Sequence, residues 1–161
     1  APGVTLPVGP YDFPVLGLDW TTDPSRALSV VLRAETGAFY NGNRASATTT
    51  VTARYGATFS SSLLVDYSDV HLAQGDFSRS LVGLRFAYFF TPRISLQTLT
   101  QFNDQAGIWT ANARLSWLNT AGTGLFVVFN DAEQADGFLN WKRPVTHAFT
   151  VKFTKQFGSR G

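Results

Sequence analysis

Between Phe77 and Phe129 apolar and polar residues alternate in steps of two. Val82, Leu84, Phe86, Tyr88 and Phe90 fall on one face, with Arg79, Leu81, Gly83, Arg85 and Ala87 on the other. Beyond Thr91-Pro92, Ile94, Leu96, Thr98, Thr100 and Phe102 oppose Arg93, Ser95, Gln97, Leu99 and Gln101. Trp109, Ala111, Ala113, Leu115 and Trp117 then oppose Asn112, Arg114 and Ser116, and Leu125, Val127 and Phe129 alternate with Gly124, Phe126 and Val128. Period-two alternation sustained over about ten residues and repeated between turn residues predicts long antiparallel strands. Arginines on the less apolar face do not suit a small dry core. They suit a membrane barrel, apolar toward lipid and polar toward a lumen.

The rest of the chain repeats the pattern. Residues 1–12, with Pro2, Pro7 and Pro10, read as an irregular lead-in. A first strand is expected over about 13–20, with Leu16, Leu18 and Trp20 on one face, and Thr22-Asp23-Pro24-Ser25 forms a tight turn because Asp and Ser bond back to the backbone. A second strand covers about 26–40, Asn41-Gly42-Asn43 marks a hairpin, and a third, weaker strand covers 44–55. The fourth, about 58–69, leads through a longer loop, His71 to Asp76, into the fifth. The longest connection is expected from Asn130 to Pro144, before a ninth strand at about 145–157 and a tail at 158–161. The expected architecture is all-β: an up-and-down transmembrane barrel occupying residues 13–157, with no second domain.

Composition removes several alternatives. No apolar run approaches the length of a membrane-spanning helix, while mean hydropathy near zero reflects interleaved polar and apolar residues. Aromatics at 14 % and dense Ser and Thr lean toward sheet. Without cysteine there is no disulfide and no thiolate chemistry. A net charge of +2 with no basic run gives no nucleic-acid footprint.

Giving the more apolar face to lipid sorts the aromatics. Trp20, Tyr55, Tyr88, Phe90, Trp117 and Phe157 fall at one end of their strands, and Tyr40, Tyr67 and Trp109 at the other, as two interfacial girdles. Connections at 21–25, 56–57, 91–92 and 119–123 are short, and those at 41–43, 70–76, 103–107 and 130–144 tend to be longer, which places the second set outside the cell. The opposite face carries Arg33, Arg54, Arg79, Arg85, Arg114 and Lys152 against Glu35 and Asp66 as lumen-lining charges. Nine strands would put the two chain ends on opposite sides, whereas bacterial single-chain barrels use an even number. Either strands two to nine close an eight-stranded barrel, or these strands belong to a larger one. The surplus of positive charge, costly in a narrow interior, favours the larger barrel, completed by upstream strands of the parent chain or by another chain.

The run Gly75-Asp76-Phe77, followed by Leu84-Arg85-Phe86-Ala87-Tyr88-Phe89-Phe90-Thr91-Pro92-Arg93-Ile94-Ser95-Leu96-Gln97, resembles the C-terminal barrel region of a family of uncharacterised bacterial envelope proteins. Those proteins carry an N-terminal domain similar to family-nine carbohydrate-binding modules. Gln101-Phe102-Asn103, Asn112-Ala113-Arg114-Leu115-Ser116-Trp117, Gly124 to Asp131 and Phe149 to Thr154 are also similar, so the resemblance covers roughly residues 75–157. It implies a bacterial outer-membrane location, lipid and lipopolysaccharide as surroundings, and a chain that continues upstream. It supplies no catalytic residues. This sequence departs from the pattern at Asn119-Thr120-Ala121-Gly122, where an Arg-rich turn is usual, and at its Gly-Ser-Arg-Gly end.

Candidate chemistry is sparse. His71 near Asp66, Asp69 and Asp76 has the side chains of a divalent-ion site, but an exposed polar loop explains the grouping better, and no metal or cofactor is expected. Ser78 or Ser80 with His71 and Asp76 is the one local arrangement for a rim hydrolase acting on lipid or glycan. Asp131, Glu133, Asp136, Trp141, Lys142 and Arg143 compose a candidate external ligand loop, since a tryptophan beside acids and amides suits sugars. Three functions follow: a pore or passive transport wall whose arginines favour anions, a closed scaffold barrel of an outer-membrane complex, and a rim hydrolase. No catalytic set is assigned.

Overall fold

A computed structural model describes residues 12–119, 123–138 and 140–155; the lead-in before Asp12, Phe157 of the expected girdle and the tail 158–161 lie outside the described residues. Nine strands are present among them: β1 (Val15–Thr21), β2 (Leu28–Phe39), β3 (Gly42–Tyr55), β4 (Phe59–Leu72), β5 (Gly75–Thr91), β6 (Ile94–Asn103), β7 (Ile108–Leu118), β8 (Gly124–Ala135) and β9 (Trp141–Thr154). They form one antiparallel sheet in sequence order, β1 to β9. Each strand pairs with its chain neighbours, so β1 and β9 are the two edges and the sheet is open. The eight-stranded closure is not formed: β2 lies between β1 and β3, and β9 is hydrogen-bonded to β8.

Turn chemistry fixes the hairpins. Asp23 Oδ1 accepts from the Ser25 N–H at 2.9 Å and its hydroxyl at 2.7 Å, the expected Asx turn. Thr91 Oγ1 accepts from the N–H groups of Arg93 and Ile94, closing β5 onto β6. The β2–β3 hairpin is shifted by one residue from the Asn41-Gly42-Asn43 expectation. Phe39 pairs with Gly42, so the turn is Tyr40-Asn41, and Tyr40 takes a φ of 53°. Gly42 is held in β3 by a close approach, since a Cβ there would lie 1.8 Å from the His71 carbonyl oxygen. Tyr40 is anchored edge-on to Phe39 and Phe13, at ring separations of 4.7 and 5.5 Å.

Two expected loops are largely strand. β4 continues to Leu72 and β5 begins at Gly75, so the connection is Ala73-Gln74 and His71 lies within the sheet. Asn130 to Pro144 is mostly ladder as well: β8 reaches Ala135 and β9 starts at Trp141. Polarity misled the reading, because Asp131, Glu133 and Gln134 look like loop residues yet pair across strands. The expected contrast between short and long connections therefore disappears, and connection length does not orient the sheet. The third strand, expected to be weak, runs the full Gly42–Tyr55 with two long partners.

The sheet has one layer. Val70, Leu72, Phe102 and Ala135 are its buried apolar residues, and no large side chain is fully buried among the described residues. Large apolar side chains instead stand exposed, Leu16 at 75 %, Tyr55 at 79 % and Phe149 at 69 %. A sheet stabilised in water needs a second layer against its apolar face. Here that face is uncovered, with large apolar side chains exposed on β1, β4, β5, β7 and β9, whereas a monomeric soluble protein keeps contiguous apolar patches to a few hundred Å².

Candidate functional site: the two faces of the sheet

Cross-strand partners share a face, so the register sorts every strand residue. One face carries Leu16, Leu18 and Trp20 of β1, Leu63 and Val65 of β4, Leu84 and Phe86 of β5, Leu115 of β7 and Val151 of β9. The other presents a polar field. Its row through Arg85 runs Ser29, Thr52, Ser62, Arg85, Leu99, Asn112 and Asn130, and the next joins Arg54, Ser60, Ala87, Gln97 and Arg114. Ser29 and Ser116, both on this face, are buried.

The apolar band is not parallel to the hydrogen-bonded rows. The row through Leu18, mid-band on β1, passes through Ala34, Ala47 and Tyr67 to Ser80. The row through Val151, mid-band on β9, passes back through Val127, Leu115 and Leu96 to Tyr88. Ser80 and Tyr88 stand about eight residues apart on β5, so the band slips by that amount across the sheet; with ~3.3 Å per residue and ~4.8 Å between strands the slope is roughly 35°. Polar groups bound the band on one side. His71 contacts Asp69 at 3.1 Å and Asp76 at 3.0 Å on β4 and β5, and His147 contacts Asp131 at 2.5 Å on β9 and β8. Aromatic residues bracket its height, Phe59 and Tyr67 on β4 and Trp109 and Trp117 on β7. Eight residue steps span ~26 Å along a strand, or ~22 Å after allowing for the slant.

The expected girdle residues divide. Trp20, Tyr55, Tyr67, Tyr88, Trp109 and Trp117 lie on the apolar face. Phe90 sits at the register shift between Phe89 and Thr91, with its ring 4.9 Å from Tyr88. Tyr40 is a turn residue rather than a strand residue.

The expected polar-face charges are all on one face, but partners neutralise part of the set. Arg33 pairs with Asp19 at 2.6 Å, and Arg79 with Asp66 at 3.1 Å. Asp66 also accepts from Thr48 at 2.7 Å, and Glu35 accepts from Arg44 at 3.4 Å. Arg54 donates to the Pro24 carbonyl at 2.7 Å, and Arg114 stacks 4.7 Å over the Phe126 ring. Arg85 and Lys152 have no ion pair among the described residues. Arg85 borders a hollow of about 230 Å³ with Thr50, Ser62, Gly83 and Gln101. Asp19 and Arg44 were missed in the sequence. Asp19 is legible from its alternation with Leu18 and Trp20, whereas Arg44 stands at the first position of the expected third strand, where alternation is weakest.

The other candidates are not assembled. Asp66 faces away from His71, on the side of Arg79, and no metal-binding cluster of His and acidic residues occurs among the described residues. Ser80 gives its hydroxyl to Asp104 at 2.8 Å, and both imidazole nitrogens of His71 face carboxylates, so no nucleophile–base pair forms between them. In the expected ligand loop, Asp131 belongs to β8 and engages His147, while Asp136 bonds Lys142 at 2.5 Å. That lysine holds the exposed Asp136 carboxyl below its ordinary pKa. The Trp141 and Arg143 backbones lie in β9, opposite Ala135 and Gln134, and the Trp141 side chain lies outside the described set.

No family model matches the chain, and neither a curated protein nor a solved structure matches it. The strand sequences and their geometry therefore carry the functional reading.

Proposed function

We propose that this sheet is part of the wall of a bacterial outer-membrane β-barrel, its apolar face in lipid and its polar face lining a water-filled interior. The single observation that carries the reading is the slanted apolar band. Hydrocarbon is horizontal, so strands crossing it at ~35–45° must carry their apolar residues in a band oblique to the hydrogen-bonded rows, ~25 Å tall. Both the ~35° slope and the ~22 Å height of this band fit those values. Aromatic rings at its borders suit the headgroup level, in contact with lipid and lipopolysaccharide. The resemblance of residues 75–157 to the barrel region of the envelope family points the same way, without a matching family model behind it.

The interior favours anions. Arg85 and Lys152 add positive charge that no carboxylate cancels, and charge focused by low-dielectric walls concentrates counter-ions. Two observations favour the runner-up, a closed scaffold barrel: Arg33–Asp19 and Arg79–Asp66 are already neutral pairs.

Fractionation tests the wall, and conductance tests the interior. The protein should remain with outer membranes through an alkaline carbonate wash; release into the wash contradicts the reading. In planar bilayers under a salt gradient the intact protein should show anion-leaning reversal potentials. Absence of conductance with retention in the membrane selects the scaffold.

A further inference from the structure

The two free edges specify what completes them. The Pro14 carbonyl accepts from Ala38 N–H at 3.0 Å and Thr22 N–H donates to the Val30 carbonyl at 2.9 Å. Alternation along β1 therefore turns Leu16, Leu18 and Trp20 to β2 and turns the backbone groups of Val15, Gly17, Asp19 and Thr21 to the free side. On the other flank, Ala135 N–H donates to Gly107 at 2.8 Å and Asn119 N–H to Thr123 at 2.7 Å, which commits the odd-numbered residues of β8 to β7. Its even-numbered residues then bond β9 through Thr146, Ala148, Thr150, Lys152 and Thr154. His147, Phe149, Val151 and Phe153 are left with N–H and C=O groups pointing away from the sheet.

In hydrocarbon each of those groups needs a partner. A register shift and Pro144 limit the β9 edge. Pro144 stands opposite Glu133, whose backbone is committed to β7, so its nitrogen lies on the free side with no hydrogen to give. The pairable β9 edge therefore starts beyond Pro144. It presents its hydrogen-bonding residues on the apolar face, as Phe149, Val151 and Phe153. The β1 edge presents them on the polar face.

Direction then selects the occupant. In a nine-stranded antiparallel order β1 and β9 run the same way across the membrane. A copy related by rotation about the membrane normal keeps that direction, so its β1 meets β9 only as a parallel pair, as would closure of one chain on itself. The geometry points to a different occupant: β1 and β9 are bridged by an odd number of antiparallel strands from polypeptide other than residues 12–155, not by a second copy. The strand seated on β9 carries apolar residues at its hydrogen-bonded positions, opposite Phe149, Val151 and Phe153. An odd complement makes every pair antiparallel and the total even, as bacterial barrels require. The inference rests on the reading of the sheet as a barrel wall.

Photo-crosslinking in the cells that make the protein tests it. Phe149→p-benzoylphenylalanine and Phe153→p-benzoylphenylalanine each probe the strand beside β9, and Leu84→p-benzoylphenylalanine probes lipid at mid-sheet. Adducts from 149 and 153 should map to one peptide outside residues 12–155, with the 153 adduct nearer its N-terminus, the reversed order of antiparallel pairing. Adducts to residues 15–21, whether within one chain or between chains, adducts in parallel order, or no peptide adduct would overturn the inference. Lipid adducts at Leu84 alongside any of those results leave the wall standing and remove only the odd-strand partner. Loss of lipid adducts at Leu84 removes the wall itself.

Discussion

Leu84 and Arg85 are neighbours on β5, yet they stand on opposite faces of the sheet. Leu84 lies between Leu63 of β4 and Thr100 of β6 on a face where large apolar residues stand uncovered. Arg85 lies between Ser62 and Leu99, in a hollow where Thr50, Ser62 and Gln101 stand beside Leu64 and Leu99. A soluble sandwich makes the opposite assignment, with its apolar face against a second layer and its charges in bulk water. Here the single layer leaves the apolar face open and carries Arg33, Arg54, Arg79, Arg85 and Arg114 on the opposite one. The difference teaches that stability must come largely from what surrounds the sheet, because among the described residues only Val70, Leu72, Phe102 and Ala135 are buried apolar side chains.

The largest expected effect comes from reversing that contrast. Leu84→Arg should destabilise the protein in liposomes by about 2–4 kcal/mol, the depth-dependent cost of a charge on a lipid face. Arg85→Leu should cost well under half as much, since it removes a charge with no ion pair. Equal losses in denaturant titrations, or the reverse order, would invert the faces.

Within the polar face, Asp66 separates a structural pair from a decorative one. Its carboxylate holds Thr48 and Arg79 and its side chain is only 24 % exposed. Asp66→Asn should cost about 1–2 kcal/mol, in the range of charge-assisted hydrogen bonds partly open to water. Asp19→Asn, at the exposed edge beside Arg33, should leave the unfolding midpoint unchanged.

Arg85→Glu should move the reversal potential toward cations without altering stability measurably. Asp66→Asn, which frees Arg79, should move it toward anions. A potential that ignores both would transfer the polar face to the closed scaffold.

The smallest effect concerns pH at the turn joining β8 to β9. Lys142 lowers the Asp136 pKa, so the contribution of that pair is present above the unfolded carboxylate value and is lost as pH falls through the folded one. Hydrogen-exchange protection of Gly137 and Phe138, taken relative to the intrinsic rate at each pH, should fall on acidification, and Lys142→Ala should remove that pH dependence. The pair is fully exposed and should not shift global unfolding.

Alternation made most of the sheet readable. Each strand from β1 to β9 was visible as a run of period two, and the faces followed from it. Boundaries failed where polar residues continue a strand past the apolar band. His71 and Asp76 extend the β4–β5 hairpin, and Asp131, Glu133 and Gln134 the β8–β9 hairpin, yet each looks like loop chemistry. The partners of the arginines were not readable, because Arg33–Asp19 and Arg79–Asp66 depend on the register between strands. The slant of the band also needed the register, since no single strand contains it.

Spin-label depth in liposomes tests the central claim most directly. The chain has no cysteine, so single labels at Leu18→Cys and Val151→Cys are clean, with Tyr67→Cys as the row-mate of Leu18. If the sheet crosses the bilayer on a slant, labels at 18 and 151 should report nearly equal depth near the midplane, with high oxygen accessibility, and the label at 67 should lie close to the interface. Depths of 18 and 67 that coincide, with 151 displaced by about 26 Å at ~3.3 Å per residue, or oxygen accessibility no higher than in water at 18 and 151, would contradict the account.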